Sequence, residues 1–532
     1  MTDYADAHAA FAWEVPERFN FAVDVVDKWA EDPDRPALIW CDDAGREERY
    51  TYAQIAEATR RFANLLSAQG VTKGDRVVVM LPRIPAWQIA VVGCLRAGCV
   101  PIPCVTMLTR NDLDYRIVHA EAACVVTTAD NTAKIDPAYD LKARISVGPA
   151  DGWIEMAPAL AEQSHDFDPP DVFAEDPAIL YFTSGSTGKP KGVLHAARAI
   201  FAWRVSAWYW LTLEPGDVMW CTADTGWSKA GTSILFGPWS AGAAVLFHDG
   251  PFDPAGRFDL LERHGVTVFC AAATELRQLI RQDVAGRDLS ALQLTVSAGE
   301  SVNPEIVVRW QAITGGLLLD GYGQTETLMT VLNYPPMPVK PGSMGRPQPG
   351  TEAAVLAEER DAFVPPGTVG RLAIKCPNPQ IMLGYWKDPE QTAKTRVTID
   401  GTEWFVTGDT AHADTDGYLF YGGRNDDVIG SAGYRIGPME VENALMAHPA
   451  VLECAAVGSP DADRGEVVKA FVILNAGFEG SDPLVTELQD FAKAETAPYK
   501  YPRRIEFVAE LPKTVTGKIQ RRVLRDREYG RG

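Results

Sequence analysis

No run of about 18 apolar residues occurs in the 532-residue sequence, so no transmembrane helix is expected. No Cys-x-x-Cys pair occurs either. The nine cysteines (Cys41, Cys94, Cys99, Cys104, Cys124, Cys221, Cys270, Cys376 and Cys454) are odd in number and scattered, which excludes a disulfide framework and offers no zinc-ligand spacing. They are expected to be buried, reduced thiols. Positive charge is short: 50 Lys and Arg stand against 71 Asp and Glu, a formal net charge of −21. That balance argues against non-specific binding of nucleic acid or anionic membrane. The start, Met1-Thr2-Asp3-Tyr4-Ala5-Asp6, is acidic and has neither the basic, apolar pattern of a secretory signal nor the Arg-rich pattern of a transit peptide. A cytoplasmic location is expected. There is no fixed-period repeat and no low-complexity tract.

What is present is a globular composition, 46% hydrophobic and 23% charged. The first half alternates short apolar runs with helical spacing. Val77 to Leu81 reads as a buried strand, Ala86 to Ala97 as a helix, and Val100 to Pro103 as the next strand. Cys124 to Thr127, Ala178 to Phe182, Ala243 to Phe247, Val266 to Cys270, Leu294 to Ala298 and Leu317 to Leu319 continue the series. This order predicts an α/β fold with βαβ units and largely parallel sheets, whose ligand loops lie at the carboxyl ends of strands. From about residue 340, Pro and Gly punctuate short strands, predicting a β-rich subdomain. From Glu440 the pattern becomes a small α+β unit. The expected division is an N-terminal body, residues 1–425, and a mobile C-terminal domain, residues 426–532.

The strongest local signal is Tyr181-Phe182-Thr183-Ser184-Gly185-Ser186-Thr187-Gly188-Lys189-Pro190-Lys191-Gly192. An apolar strand runs into a loop of Ser, Thr and Gly with two lysines. Glycines let the backbone approach a polyphosphate, hydroxyls and N–H groups donate to its oxygens, and lysines add point charges. It is not a Walker A loop: two residues, not four, separate Gly185 from Gly188, and Pro190 follows Lys189.

With this loop and four later words the chain resembles the adenylate-forming superfamily, which holds acyl-CoA synthetases, peptide-synthetase adenylation domains and luciferases. The later words are Gly321-Tyr322-Gly323-Gln324-Thr325-Glu326-Thr327, Thr407-Gly408-Asp409, Tyr421-Gly422-Gly423-Arg424-Asn425-Asp426-Asp427, and Pro512-Lys513-Thr514-Val515-Thr516-Gly517-Lys518. Their order spans nearly the whole chain. The resemblance implies an adenylate-forming fold and a reaction in which ATP and Mg²⁺ activate a carboxylic acid as an acyl-adenylate, followed by transfer to coenzyme A.

Residue roles follow from the same resemblance. Thr183, Ser184, Gly185, Ser186, Thr187, Gly188, Lys189 and Lys191 would bind the phosphates, with Thr187 catalytic. Gly299, Glu300 and Ser301 would line the adenine pocket, beside Asp320, Gly321, Gly323 and Gln324. Tyr322 would stack on adenine, Thr325 meet the α-phosphate, and Glu326 hold Mg²⁺, an ion that prefers carboxylate and phosphate oxygens. Asp409 would accept both ribose hydroxyls, with Arg424 contacting ribose and phosphate. Lys518 would bridge the acid and ATP, where one anion attacks another. Asp426 would be the hinge. Ala432, Gly433, Tyr434 and Arg435, with Arg464, Tyr501 and Arg503, would meet CoA.

Within the superfamily the chain resembles medium-chain acyl-CoA synthetases, through words such as Thr222-Ala223-Asp224-Thr225-Gly226-Trp227 and Gly433-Tyr434-Arg435-Ile436-Gly437-Pro438. Trp227 and Thr232 would line the acyl pocket. Gly323, where acetate-specific relatives usually carry Trp, would leave it open. A medium-chain, branched short-chain or aromatic acid is the expected substrate. The alternatives are an acid-adenylating enzyme with another acceptor, including a peptide-synthetase domain that would use an Asp near 224 to bind an amino acid, or a non-catalytic nucleotide-binding protein.

Overall fold

The computed structural model describes residues 3–183, 190–299, 302–424, 427, 429–431, 434–461, 465–495, 500–514 and 518–530, with backbone alone at 430, 434, 435 and 465. The largest layer is a nine-stranded sheet. Its centre is parallel: Pro36–Asp42, Ala244–Asp249, Val218–Cys221, Val268–Cys270, Leu294–Ala298 and Leu317–Gln324, in that spatial order. Antiparallel strands close both edges, Glu47–Thr51 at one and Leu328–Leu332 with Arg346–Pro347 at the other. A second sheet is wholly parallel and holds Arg76–Met80 between Val100–Pro103 and Ala122–Thr128. Val77, Val78, Val79 and Met80 are all fully buried. That is why these strands read as continuous apolar runs: both faces are covered, Val77 and Val79 packing with residues of helices Tyr52–Ala68 and Pro85–Arg96, and Val78 and Met80 with residues of helix Arg110–Ala120 and with Leu180, so neither face needs polar residues.

Helix Tyr52–Ala68 starts at a capping box in which Thr51 Oγ1 accepts from Gln54 N–H and Gln54 Oε1 accepts from Thr51 N–H. It buries Ile55, Thr59, Phe62 and Leu66 on one face and packs on helix Pro85–Arg96. A Cβ on Gly93 would lie 2.6 Å from the Phe62 ring, so even Gly93→Ala forces the helices apart.

The phosphate-loop strand departs from the βαβ expectation. Pro177–Thr183 pairs antiparallel with Lys191–Ala196, with Thr183 opposite Lys191. The loop therefore joins the arms of a hairpin, not a strand to a helix. A second departure concerns Leu317–Gln324. The strand does not stop at Leu319; Gly321 to Gln324 continue it because Leu328–Leu332 folds back to pair with them.

Five antiparallel strands form the β-rich subdomain, with Thr402–Ala413 between Gly370–Lys375 and Arg396–Ile399, and Leu419–Arg424 also on Thr402–Ala413. The C-terminal sheet is built on Val451–Asp461 and Gly465–Leu474 and covered by helices Pro438–Met446 and Asp482–Glu495. The junction is tight: a Cβ on Gly437 would lie 2.2 Å from Gly422 O. All nine cysteines are free, and all but Cys376 are buried. Among the described residues no helix is long and apolar enough to cross a membrane.

Candidate active site

The parallel strands Leu294–Ala298 and Leu317–Gln324 lie side by side, Ala298 opposite Gly321, and candidate residues gather at their carboxyl ends. Asp409 is the centre of the first group. It reaches inward because Gly408 takes φ +77°, a left-handed conformation open to glycine, between Thr407 and Asp409. Its buried Oδ2 accepts from Tyr322 Oη at 2.7 Å and from Gln324 Nε2 at 2.6 Å. Its Oδ1 accepts from Tyr421 Oη at 3.4 Å and faces Arg424 Nε at 4.0 Å. Asp409 and Arg424 meet because they are register partners on adjacent strands. Burial raises the Asp409 pKa, and Tyr322 and Arg424 pull against it. Burial lowers Arg424, but Asp409 and other anions outweigh this and raise it.

The second group surrounds Thr325 and Glu326. Tyr385 Oη donates to Glu326 Oε1 at 2.9 Å, and Lys191 Nζ lies over the Tyr385 ring, 5.3 Å from its centroid. Thr325 Oγ1 meets Ser228 Oγ at 3.1 Å. The Thr325 carbonyl accepts from His195 Nε2 at 2.6 Å. His195 is fully buried, and burial lowers its pKa to about 4, so the ring is neutral at physiological pH and Nε2 carries the proton.

The third group is cationic. Lys518 is exposed; Thr514 N–H donates to Lys518 O, and Thr514 Oγ1 accepts from Lys518 N–H. Its Nζ lies 3.9 Å from the position a Cβ on Gly299 would occupy. Lys229 Nζ donates to Ala298 O, one residue earlier, at 3.1 Å.

Trp227 ends a tightly held loop. Thr225 Oγ1 donates to Leu81 O at 2.6 Å, Asp224 Oδ1 accepts from Gly226 N–H at 3.0 Å, and a Cβ on Gly226 would lie 2.3 Å from Val105 N. Asp224 is thus a local cap, which weighs against its binding an amino acid. Thr232 is buried and accepts from Trp203 Nε1 at 2.6 Å. Gly323 is constrained by backbone: a Cβ there would lie 2.1 Å from Leu328 O.

Tyr501 and Arg503 are together, Arg503 Nη1 donating to Tyr501 Oη at 2.9 Å, in the C-terminal unit. Asp320 accepts from Gly321 N–H at 2.9 Å. Ser184, Gly185, Ser186, Thr187, Gly188, Lys189, Glu300, Ser301, Asp426, Ala432, Gly433 and Arg464 lie outside the described residues, as do the side chains of Tyr434 and Arg435. His195, Ser228, Lys229, Tyr385 and Tyr421 were not singled out by sequence. Only Tyr421 carried a signal, standing inside a matched word.

The family model for AMP-binding enzymes matches residues 25–386, and that for the AMP-binding enzyme C-terminal domain matches residues 440–518. The chain belongs to the AMP-binding enzyme family. Among the relatives of this AMP-binding enzyme is the acyl-coenzyme A synthetase ACSM3, mitochondrial, of Rattus norvegicus. It is 40% identical over 552 residues, covering 99% of this chain and 94% of the relative. The solved anthranilate CoA ligase AuaEII, in complex with anthranoyl-AMP, superposes with a TM-score of 0.87 at 29% identity, covering 97% and 98% of the two chains. The benzoate CoA ligase from Burkholderia xenovorans LB400 gives 0.84 at 31% identity, covering 95% and 100%.

This AMP-binding enzyme is an AMP-forming acid–CoA ligase, an acyl-CoA synthetase working through an acyl-adenylate. Its small-molecule partners are a carboxylic acid, ATP with Mg²⁺, and CoA. The donors present fit Mg²⁺: the Glu326 carboxylate stands beside Thr325, with Oε1 accepting from Tyr385 Oη. Magnesium is commonly held by one or two carboxylates with substrate phosphates and water. The expected cytoplasmic location is corrected, because the ACSM3, ACSM4 and ACSM5 relatives are all named mitochondrial. The physical reason is that a targeting address is a local segment and not a property of the folded body, so composition and net charge do not decide the compartment.

Proposed function

We propose that this acyl-CoA synthetase activates a medium-chain, branched short-chain or aromatic acid, in the service of fatty or aromatic acid metabolism. The acyl pocket is formed by Trp227 and Thr232, with Gly323 at its edge. Trp227 supports this choice, since an aromatic wall accepts an alkyl chain or a flat ring. The solved benzoate and anthranilate CoA ligases are consistent with a ring. Gly323 carries less of the inference than its sequence context suggests, because its backbone neighbours alone require glycine.

In this assignment Asp409 receives the ribose, its Oδ1 being the oxygen less committed to protein donors. Tyr322 and Gln324 hold that carboxylate, Gly299 flanks the adenine, Thr325 meets the α-phosphate, and Glu326 holds Mg²⁺. Lys191 and the loop 183–189, with Thr187 catalytic, cradle the phosphates. Tyr501, Arg503, Arg464 and the segment 432–435 meet CoA. Residues 1–425 and 426–532 form the two moving parts, with Asp426 as the hinge. Lys518 neutralises the charge that builds as carboxylate oxygen attacks the α-phosphate.

The observation that carries this reading is the placement of Lys518 Nζ beside Gly299, at the end of the strand that flanks Tyr322. Removing a preorganised charged donor costs about 10²–10³ in rate. Lys518→Ala should therefore lose at least that much acid-dependent pyrophosphate release, and near-normal acyl-AMP formation would reject the role. The substrate is tested by AMP formation over acids from acetate to decanoate, with isobutyrate and benzoate, each with and without CoA. A preference for acetate would reject the open pocket.

A further inference from the structure

The loop that ends at Trp227 begins at Thr222, directly after strand Val218–Cys221, and charged side chains anchor that beginning. Thr222 N–H donates to Cys270 O at 3.1 Å, its carbonyl accepts from Arg83 Nη2 at 3.4 Å, and its Oγ1 donates to Glu275 Oε2 at 2.5 Å. Arg83 also donates to Ala223 O and Gly250 O, each at 3.4 Å. Glu275, on helix Ala273–Leu279, is itself held. Its Oε1 accepts from Nε of the buried Arg257 at 2.8 Å. Arg257 Nη1 lies 3.2 Å from His248 Nδ1, and His248 Nε2 lies 2.9 Å from Asp43 Oδ1. A guanidinium can only donate, so His248 Nδ1 accepts and Nε2 carries the proton to Asp43. Burial lowers the His248 pKa, the Asp43 bond opposes the fall and Arg257 adds to it, which keeps the ring in that neutral form.

Side chains from separate parts of the body, Asp43, His248, Arg257 and Glu275, thus form a line that ends on one hydroxyl, Thr222 Oγ1. Packing does not fix Thr222 in the same way. A cavity of about 300 Å³ lies against it, lined by Arg83, Thr222, Phe252, Arg257, Glu275 and Gln278. A side chain facing open space lacks dispersion partners on that side. A hydrogen bond to a charged group contributes about 1.5–3 kcal/mol, so the Glu275 bond decides where Thr222 stands. The far end of the loop has its own anchor, Thr225 on Leu81 O, and Trp227 N–H donates to Asp224 O at 3.1 Å. The segment that carries Trp227 is therefore pinned at two points, and one of them is polar and beside a cavity.

We propose that Glu275 is a positioning residue for acid recognition: braced by Arg257, it clamps Thr222 and so sets where Trp227 stands at the acyl wall. The proposal rests on the reading of Trp227 as part of the acyl pocket and adds how the width of that pocket is fixed. Released from Glu275, the loop pivots about Thr225 towards the cavity, and Trp227 shifts with it. Acids one methylene apart differ by about 1–3 kcal/mol in a pocket, a difference that needs a wall that stays in place. Asp409 and Arg424 lie on other strands, so nucleotide binding does not depend on this clamp.

The test uses the full chain with Thr222→Val, Thr222→Ser, Glu275→Gln and Trp227→Leu. AMP formation with CoA is measured for the preferred acid and for its homologue longer by one methylene, and then against varied ATP. Thr222→Val keeps the shape and the Glu275–Arg257 pair but loses the hydroxyl. It should raise the KM for the preferred acid about three- to ten-fold and lower the kcat/KM ratio of the two acids by about three-fold or more. The KM for ATP should stay within about two-fold of wild type, and Thr222→Ser, which keeps the hydroxyl, should match wild type to the same degree. Glu275→Gln should act in the same direction and add little to Thr222→Val, because both break one bond. If Glu275→Gln does not fold, the two Thr222 variants carry the comparison. An unchanged acid ratio in Thr222→Val, equal rises for acid and ATP, or a Thr222→Ser as impaired as Thr222→Val overturns the proposal. Trp227→Leu with an unaltered acid ratio overturns the acyl-wall reading itself, whereas an altered ratio there with an indifferent Thr222→Val overturns the proposal alone.

Discussion

His195→Gln is the substitution whose effect can be worked most directly from the structure. His195 is fully buried on the strand after the phosphate loop, and its Nε2–H donates to Thr325 O at 2.6 Å. Burial is the main cause of a pKa lowered to about 4, against an ordinary 6.5; the Thr325 bond opposes the shift and Arg198 adds to it. In the unfolded chain this imidazole takes up a proton below about 6.5. In the folded chain it does so only below about 4, so between those values the unfolded state binds more protons and stability falls as pH falls. The cost grows by about 1.36 kcal/mol per pH unit, reaching about 3 kcal/mol when the pH reaches 4. Glutamine keeps an amide donor of similar reach and does not titrate. Wild type should be the more stable protein at pH 7, and the gap should close by about 3 kcal/mol between pH 6.5 and 4. Urea unfolding midpoints at half-unit pH steps measure this, and taking the difference between the two proteins cancels the carboxylates they share. Parallel curves across that window would refute the assignment of a buried, neutral His195.

Tyr322→Phe removes one of two donors on Asp409 Oδ2. A hydrogen bond to a charged group is worth about 1.5–3 kcal/mol, so the KM for ATP should rise about ten- to hundred-fold. Asp409 already has a raised pKa, and losing this donor raises it further. ATP-dependent activity should therefore fail at a higher pH than in wild type on the acid side; an unshifted acid limb in the pH profile would count against this. Gly323→Ala should cost about 1–3 kcal/mol in urea unfolding, since its Cβ meets the Leu328 carbonyl; a variant with wild-type stability and merely altered acid preference would contradict that view. Arg277, on helix Ala273–Leu279, faces Glu453 of the C-terminal sheet at 4.0 Å, and Glu453 also holds Lys513 at 2.8 Å. A double-mutant cycle on Arg277 and Glu453, read in adenylation rate, should give a coupling of about 0.5–1 kcal/mol, and zero coupling would show that this contact does not steady the adenylating arrangement.

The parallel sheets were legible because burial on both faces writes itself into local sequence, as in Val77 to Met80 or Leu294 to Ala298. Which strands pair was not legible. Nothing local in Ala178 to Phe182 says that its partner is the antiparallel strand Lys191–Ala196, because a buried strand looks alike in either pairing. Gly321 to Gln324 lay beyond the expected strand Leu317 to Leu319 because glycine and a polar residue weaken a strand pattern; the pairing that holds them comes from Leu328–Leu332. Asp409 and Arg424 were legible only through the family resemblance, and their contact follows from strand register. Gln324, Tyr385 and Tyr421 complete their carboxylates from separate strands. A lone buried His195 or a half-buried Lys229 looks, in sequence, like any core histidine or solvated lysine.

An acidic chain that must bind ATP, CoA and an ionised acid cannot rely on its overall field, which repels all three. Screening confines that repulsion to about 8 Å at physiological ionic strength, so short-range placement decides the outcome. The site meets this by giving its cations local neighbours. Lys191 lies on an aromatic face, Arg424 faces a buried carboxylate, and Lys229 is held by a carbonyl. Each neighbour helps to fix a cation in place. Arg424 also has the more exposed side chain of that pair, 58% against 7% for Asp409, so more of its charge reaches the cleft. Lys518 differs in kind. It is exposed, and comes to Gly299 from a segment that Lys513 ties to Glu453. Arg424 and Lys191 are thus built into strands of the body. Lys518, to which we assign the charge neutralisation of adenylation, reaches Gly299 from a segment remote in sequence, so in that role the positive charge is supplied by a part of the chain separate from the strands that hold the nucleotide.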